Sequence, residues 1–309
     1  PAQVLDLIER YRVPVFAAVP TMYQIITTAA NWETADLSSL RFCTSGGAPL
    51  PVPLVEKYTR EKGIRFKQGF GMTEFGPGLF ALPPEDAIRK AGSIGRPNFF
   101  VDVRVVDDDN RPLGPNQPGE LVLKGPSRSS GYWQNPDAYA AVLDADGWFH
   151  TGDIGELSQD GFLRITDRKK ELLVTSGGKK IAPAPIENRL REIEGVAHAV
   201  LLGEQRNYVA ALLTLDPTAL PTLAGRLGSP ARSIVDGARC PLLRAFFGSE
   251  IERVNGELAR YESVRKFEVL PTEFTVDGGE LTPTLKLKRK VVRQKFAARI
   301  EEIYSQGAG

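Results

Sequence analysis

GWFHTGDIGELSQDGFLRITDRKKELLVTSGGKKIAP, residues 147–183, is the stretch whose reading decides the fold. It opens on an acidic turn, Thr151, Gly152 and Asp153, and passes through a hairpin-like segment into the cluster Asp167, Arg168, Lys169, Lys170 and Glu171. It ends in the loop Ser176, Gly177, Gly178, Lys179, Lys180. Polar groups this dense, set between strand-like runs, are costly to keep unless something binds them. Asp153 has two readings: an Asx-type turn that bonds its own backbone, or a carboxylate accepting from a pair of neighbouring hydroxyls such as a ribose offers. Arg168 faces a similar choice between a surface ion pair and a donor to ribose or phosphate. The two stand 15 residues apart across the predicted hairpin, a separation that lets them converge.

Upstream, short β-rich runs alternate with helical ones. VPVFAAVP (13–20) reads as a buried strand, TMYQIITTAA as a helix, LRFCTSGGAPL as a second strand and turn, residues 51–63 as a helix, and IRFKQGFG (64–71) as a strand running into a turn. That order predicts a parallel sheet covered by helices, with ligands at the carboxyl ends of the strands, where the turns 44–50 and 68–74 fall. From residue 92 the pattern becomes period-two, with strands expected at 101–106 and 120–124, and an antiparallel β subdomain results. Beyond residue 170 come a helix with Ile186, Leu190 and Ile193 on one face, two apolar strands, a long helix carrying Leu243, Phe247, Ile251, Val254 and Leu258, and a last helix carrying Val292, Phe296, Ile300 and Ile303. The expected architecture is therefore α/β and α+β. Two regions are expected: residues 1–169 (1–91 α/β, 92–169 β) and a smaller α+β region, residues 170–309.

Composition narrows the function. The chain has 309 residues, 42% hydrophobic and 25% charged, as expected of a folded globular protein of roughly two domains. A net charge of +1 provides no field to gather nucleic acid. Two cysteines, Cys43 and Cys240, lie far apart without a partnered spacing, so neither a disulfide framework nor a zinc site is expected and a cytoplasmic location is the default. No apolar run approaches the ~20 residues of a membrane span, which leaves only peripheral membrane contact open. His150 and His198 are the only histidines and read as structural, with His150 a minor candidate for lining the site.

Other segments hold chemistry. In QGFGMTE (68–74), glycines flank Phe70 so that backbone approaches a flat ligand, Thr73 supplies a hydroxyl, and Glu74 supplies a hard oxygen of the kind magnesium uses. In SGGAPL (45–50), the small residues Gly46, Gly47 and Ala48 let backbone groups face a ligand, though such a turn alone is a weak signal. GGELTPTLKLKRKVVRQKFAAR (278–299) is basic, but with net charge near zero and Phe296 on an apolar helix face it is a poor nucleic-acid patch.

Taken together, these motifs in this order resemble the adenylate-forming synthetases: acyl-CoA synthetases, peptide-synthetase adenylation domains and beetle luciferases. The resemblance covers essentially the whole chain and is nearest to the long-chain fatty acyl-CoA synthetases. It implies that Phe70 and Gly71 belong to the adenine loop, Phe70 standing where the family usually has tyrosine. It implies that Thr73 touches the α-phosphate and that Glu74 holds magnesium. Gly46, Gly47 and Ala48 would line the adenine and acyl pockets, and Asp153 and Arg168 would contact the ribose. Lys170 would be the hinge, Gly177 and Gly178 would flank the pantetheine arm of coenzyme A, and Lys286 would reach the carboxylate and α-phosphate of ATP during adenylation. Many relatives carry glycine before that lysine; this chain has Leu285. Glu171 reads as solvated, and the remaining basic residues read as the solvent-facing side of a helix in preference to contacts with the 3′-phosphate of coenzyme A.

The family's Ser/Thr/Gly-rich loop that grips the outer phosphates does not occur between residues 1 and 309, and the first residue is Pro1. The expectation is the later portion of an AMP-forming acyl-CoA synthetase acting on a fatty acid, incompetent in pyrophosphate exchange by itself. The alternatives are an acyl-AMP ligase or adenylation domain that loads a carrier protein, and a non-catalytic adenylate- or CoA-binding fragment.

Overall fold

Helices with one apolar stripe cover sheets whose strands range from half-exposed to buried on both faces. The computed structural model describes residues 1–47, 50–283 and 285–305. The chain divides between Lys169 and Lys170 into two compact units.

In the first unit, α1 (Ala2–Arg10) leads into β1 (Val15–Ala18), α2 (Pro20–Ile26), β2 (Phe42–Ser45), α3 (Val52–Lys62) and β3 (Phe66–Met72). The three strands pair in parallel, with Ala18, Ser45 and Gln68 in one cross-strand row. Their helix-covered face buries Leu5, Ile8, Tyr23, Tyr58 and Phe66. Tyr23 meets Tyr58 and Phe66 edge to face, and its hydroxyl reaches the carbonyl oxygens of Phe16 and Thr44, so a polar group is kept in the core without an orphaned bond. The parallel sheet is extended by two antiparallel strands, β4 (Gly76–Leu82) and β5 (Arg96–Pro97). Only three residues, Thr73–Phe75, separate β3 from β4, and so short a link closes only an antiparallel pair. A separate antiparallel sheet follows, in the order β6 (Asp102–Val106), β7 (Gly119–Lys124), β8 (Phe149–Leu157) and β9 (Leu163–Arg168), with the short α4 (Pro136–Ala140) inserted before β8. A bridge between Gly95 and Leu163 joins the two sheets.

The second unit opens on a small hairpin, β10 (Leu173–Val174) and β11 (Lys180–Ile181), followed by α5 (Pro183–Arg191). β12 (Val196–Leu202) and β13 (Val209–Leu215) pair antiparallel, and β14 (Val264–Leu270) adds parallel to β13. Alternate residues of β12 and β13 bury into two different cores. Leu201, Ala211 and Leu213 pack with α5, α6 (Leu220–Arg226) and α8 (Pro241–Asn255), and α7 (Ile234–Arg239) adjoins them. Val200, Ala210 and Leu212 pack with α9 (Arg289–Lys295) and α10 (Ala297–Ser305). Burial on both faces is why these strands are continuously apolar rather than alternating.

Two expectations change in detail. The last helix is two helices, broken at Phe296, whose φ of −107° leaves the helical region; its apolar stripe nonetheless packs as one face. Leu258 lies beyond the end of α8 and packs against the same core from the following turn.

Candidate functional site

In the first unit the site grows from the carboxyl ends of the parallel strands. Gly46 follows β2, and a Cβ placed there would stand 3.3 Å from the Gly69 carbonyl oxygen, so a side chain would crowd the turn against β3. Gly47 holds φ +78°, the left-handed region that glycine enters without cost. Ala48 lies outside the described residues. β3 continues past the turn expected from sequence and carries Gly69, half-buried Phe70 and exposed Gly71 along its end. Phe70 meets Phe80 edge to face at 5.8 Å, which fixes its ring.

The Thr73–Phe75 turn then presents an exposed Thr73 and a half-buried Glu74. Tyr132 donates its hydroxyl to Glu74 Oε1 at 2.7 Å, and the Ser129 N–H donates to the Glu74 carbonyl at 2.6 Å. Burial, together with the carboxylate beside it, pushes the Tyr132 phenol up to about 12, so it remains a donor. Phe75 packs edge to face on Phe149 at 5.5 Å, which sets this turn beside the start of β8.

Four residues along β8 comes Asp153, 4% exposed and directly opposite Arg168 in the β8–β9 register. Arg168 Nε lies 3.1 Å from Asp153 Oδ1. The Asp153 N–H donates to Thr151 Oγ1, whose own hydroxyl donates to the Leu121 carbonyl, so the turn is tied to β7. Glu120 braces it from beneath: its carboxylate accepts from the Gly152 N–H at 3.2 Å and from Lys169 Nζ at 2.8 Å, and it lies 3.0 Å from His150 Nδ1. Burial pushes the Glu120 carboxyl up, but Lys169 and His150 outweigh that and hold it below the usual carboxylate range.

The second unit carries the remaining residues on separate elements. Lys170 is exposed in the 3-10 turn Lys169–Glu171. Glu171 is not simply solvated, as its charged surroundings implied; it accepts from Arg289 Nε at 3.0 Å, 118 residues away. Gly177 and Gly178 form the turn of the β10–β11 hairpin, closed by bonds from Gly178 N–H to the Thr175 carbonyl and from Lys179 N–H to Thr175 Oγ1. An open cleft of about 450 Å³ beside that turn is lined by Gly177, Lys179, Asn207, Arg260, Tyr261 and Arg265. Lys179 lies over the Tyr261 ring at 5.7 Å. Three cations and a 47% exposed aromatic beside a narrow glycine turn suit a phosphorylated, partly flat ligand.

Lys286 stands exposed on a loop closed by three bonds to Thr282: Lys286 N–H to Thr282 Oγ1, Thr282 N–H to the Lys286 carbonyl, and Leu285 N–H to the Thr282 carbonyl. Leu285 occupies φ +57°, the left-handed region that glycine enters more readily, so this chain holds the loop with a strained residue. Lys288, Lys290, Lys295 and Arg299 are exposed, as expected, and three basic residues of the stretch are also ion-paired. Arg289 donates to both Glu171 and Glu187, Lys295 pairs with the 1% exposed Glu280, and Arg299 pairs with Glu268.

Residues 1–133 match the AMP-binding enzyme family, and residues 170–308 match the AMP-binding enzyme C-terminal domain. The chain belongs to the AMP-binding enzymes. It is 41% identical over 267 residues to a long-chain-fatty-acid–CoA ligase of Mycobacterium bovis, an alignment covering 86% of this chain and 42% of that protein. A feruloyl-CoA synthase from an Amycolatopsis species is 43% identical over 203 residues, covering 66% of this chain and 41% of the relative. Among solved structures, the O-succinylbenzoate coenzyme A synthetase of Bacillus subtilis in complex with ATP and magnesium matches with a TM-score of 0.70 and 30% identity, over 93% of this chain and 53% of that one. The chain thus spans about half the length, or less, of the relatives it matches.

Sequence motifs led to Asp153, Arg168, Glu74 and Lys286, whereas Glu120, Tyr132 and Arg289 emerge only from the fold. Each is bound to a partner 49 to 118 residues away. The one sequence signal for Glu120 is an acidic residue opening a strongly apolar strand, GELVLK.

Proposed function

We propose that this chain forms the nucleoside-holding and acyl-transferring part of an AMP-forming acyl-CoA synthetase, taking a carboxylic acid of the fatty-acid class, ATP and coenzyme A to acyl-CoA, AMP and pyrophosphate. The observation that carries the reading is the Asp153–Arg168 pair. A buried carboxylate and an exposed guanidinium are held opposite each other across two strands, and the Thr73–Glu74 turn is packed beside them through Phe75 and Phe149. Asp153 accepts from the ribose hydroxyls, Arg168 donates to the same sugar or its phosphate, and Phe70 offers its ring face to adenine.

Glu74 suits magnesium of the phosphate-bound kind. No group of three or more His, Cys, Asp or Glu among the described residues could hold a metal alone, and magnesium is ordinarily held by one or two carboxylates with phosphate oxygens and water. Bound there, the ion supplies charge neutralisation at the phosphates. Tyr132 orients the carboxylate that receives it.

In the first half-reaction an oxygen of the substrate carboxylate attacks the α-phosphorus and pyrophosphate leaves. Lys286 places an ammonium between the carboxylate and the α-phosphate, where negative charge is being redistributed. In the second, the thiol of coenzyme A attacks the acyl carbonyl, AMP leaves with the bonding electrons, and the thiol proton is released. Lys170 serves as the pivot between the two poses, and Gly177 and Gly178 admit the pantetheine arm. The cationic cleft at Lys179, Arg260 and Arg265 favours coenzyme A, with its clustered phosphates, over a carrier-protein acceptor. Lys286→Ala in a full-length enzyme carrying this sequence tests the reading. ATP–pyrophosphate exchange should fall by at least about 100-fold, as removal of an electrostatic stabiliser does, while thioester formation from presynthesised acyl-adenylate stays within about twofold of wild type. Equal loss in both half-reactions refutes it.

A further inference from the structure

The turn Lys169–Glu171 is three residues long, and its two outer side chains are anchored in opposite directions along the chain. Lys169 Nζ donates to Glu120 Oε2 at 2.8 Å; the lysine side chain is 49% exposed and the glutamate 7%, so the anchor point lies inside the first unit. That same carboxylate holds the Gly152 N–H of the turn bearing Asp153. On the other side, Glu171 accepts from Arg289 Nε at 3.0 Å. Arg289 is 15% exposed and also donates Nη2 to Glu187 Oε2 at 2.6 Å. Glu187 in turn accepts from the Leu201 N–H at 2.7 Å, which roots this anchor in β12 of the second unit. Lys170, between them, is exposed.

We infer that Glu120–Lys169 and Arg289–Glu171 are two clamps that confine backbone rotation to Lys170, and that their four residues are positioning residues for the change between the two half-reactions. The inference rests on the pivot reading of Lys170 given above, but its structural part does not. Without clamps, rotation would be shared over the whole segment 168–172, and each half-reaction would begin from a spread of orientations. With them, the torsions of one residue absorb the change, as hinge positions do. Because Arg289 lies three residues beyond Lys286, the second clamp also ties the pivot to the loop carrying the adenylation lysine.

Hydrogen exchange of a peptide spanning residues 166–173 reads the clamps directly in this chain, in Lys169→Gln, Glu171→Gln and the double variant. Lys169→Arg and Glu171→Asp are the conservative partners. Each neutral substitution should raise local exchange by about 3- to 5-fold, as loss of a partly exposed pair predicts, with the melting temperature nearly unchanged and the conservative variants restored toward wild type. In a full-length enzyme carrying this sequence, the neutral variants should lower kcat for overall turnover several-fold while leaving KM for ATP within about twofold. Unchanged local exchange overturns the clamps. So does exchange rising throughout a unit with a falling melting temperature, which would make the pairs general braces. Exchange that responds while turnover does not overturns the pivot at Lys170 and with it the clamps' part in catalysis. An enzyme that proves inactive in adenylation refutes the proposed reaction and leaves the exchange result standing.

Discussion

Asp153→Asn separates a ribose ligand from a structural turn residue. The carboxylate is 4% exposed and lies 3.1 Å from Arg168 Nε. Asparagine keeps the shape and one acceptor oxygen, but replaces the other with an NH₂ that faces both the guanidinium and a sugar hydroxyl. A hydrogen bond to a charged group contributes about 1.5–3 kcal/mol and a neutral one about 0.5–1.5. Losing the charge at one ribose bond therefore costs about 1–2 kcal/mol, or roughly 5- to 30-fold in Kd for AMP. The stability cost is smaller: Arg168 is 57% exposed, and solvent screening discounts the pair to less than about 1 kcal/mol. Calorimetric titration of the chain with AMP and with 2′,3′-dideoxy-AMP reads the difference. Wild type should prefer AMP, and Asp153→Asn should bring the two affinities together with little change in melting temperature. Equal weakening of both nucleotides would mean that the substitution collapses the turn. No weakening of AMP would mean that the ribose is held elsewhere, and either result refutes the assignment.

Two further outcomes follow from the fold. Burial, with Arg191 nearby, lowers the His198 pKa from 6.5 to about 4, so the unfolded chain binds this proton more tightly between those values. The resulting stability is complete above pH ~6.5 and is lost as pH falls toward 4, about 3 kcal/mol at most; denaturant unfolding of the second unit should show this slope, His198→Gln should flatten it, and with only two histidines in the chain the imidazole NMR titration is assignable by that one variant. Gly95→Ala should destabilise the first unit by more than about 3 kcal/mol, because φ is +95° and the added Cβ would stand 1.9 Å from the Ala81 carbonyl oxygen; a melting temperature within about 2 °C of wild type refutes that packing.

Much of the architecture is legible in the sequence because it depends on periodicity. Parallel strands announce themselves at 15–18 and 42–45 as apolar runs between helical stripes, and β12 and β13 as runs without alternation. The strands that escape notice carry misleading local signals. β4 begins Gly-Pro-Gly and resembles a loop, and β14 reads VRKFEVL, where three charged residues hide an inner pair at Val269 and Leu270. Tertiary pairing, not propensity, makes them strands.

The site divides along the same physical line. Residues that touch a common ligand recur in recognisable motifs, because the ligand imposes spacing, and the proposed roles of Asp153, Arg168 and Glu74 are legible on that ground. The residues that hold those groups in place have no such constraint. Glu120 reaches Lys169 across 49 residues, Tyr132 reaches Glu74 across 58, and Arg289 reaches Glu171 across 118. One consequence concerns charge. The basic run behind Lys286 reads as a cationic patch, yet Arg289, Lys295 and Arg299 are committed to carboxylates on other elements. The Arg289 and Lys295 pairs restrain the ends of the loop that carries the exposed Lys286. In the reaction proposed for this chain, a loop base held by ion pairs sets the reach of the Lys286 ammonium without adding further unpaired cations around it.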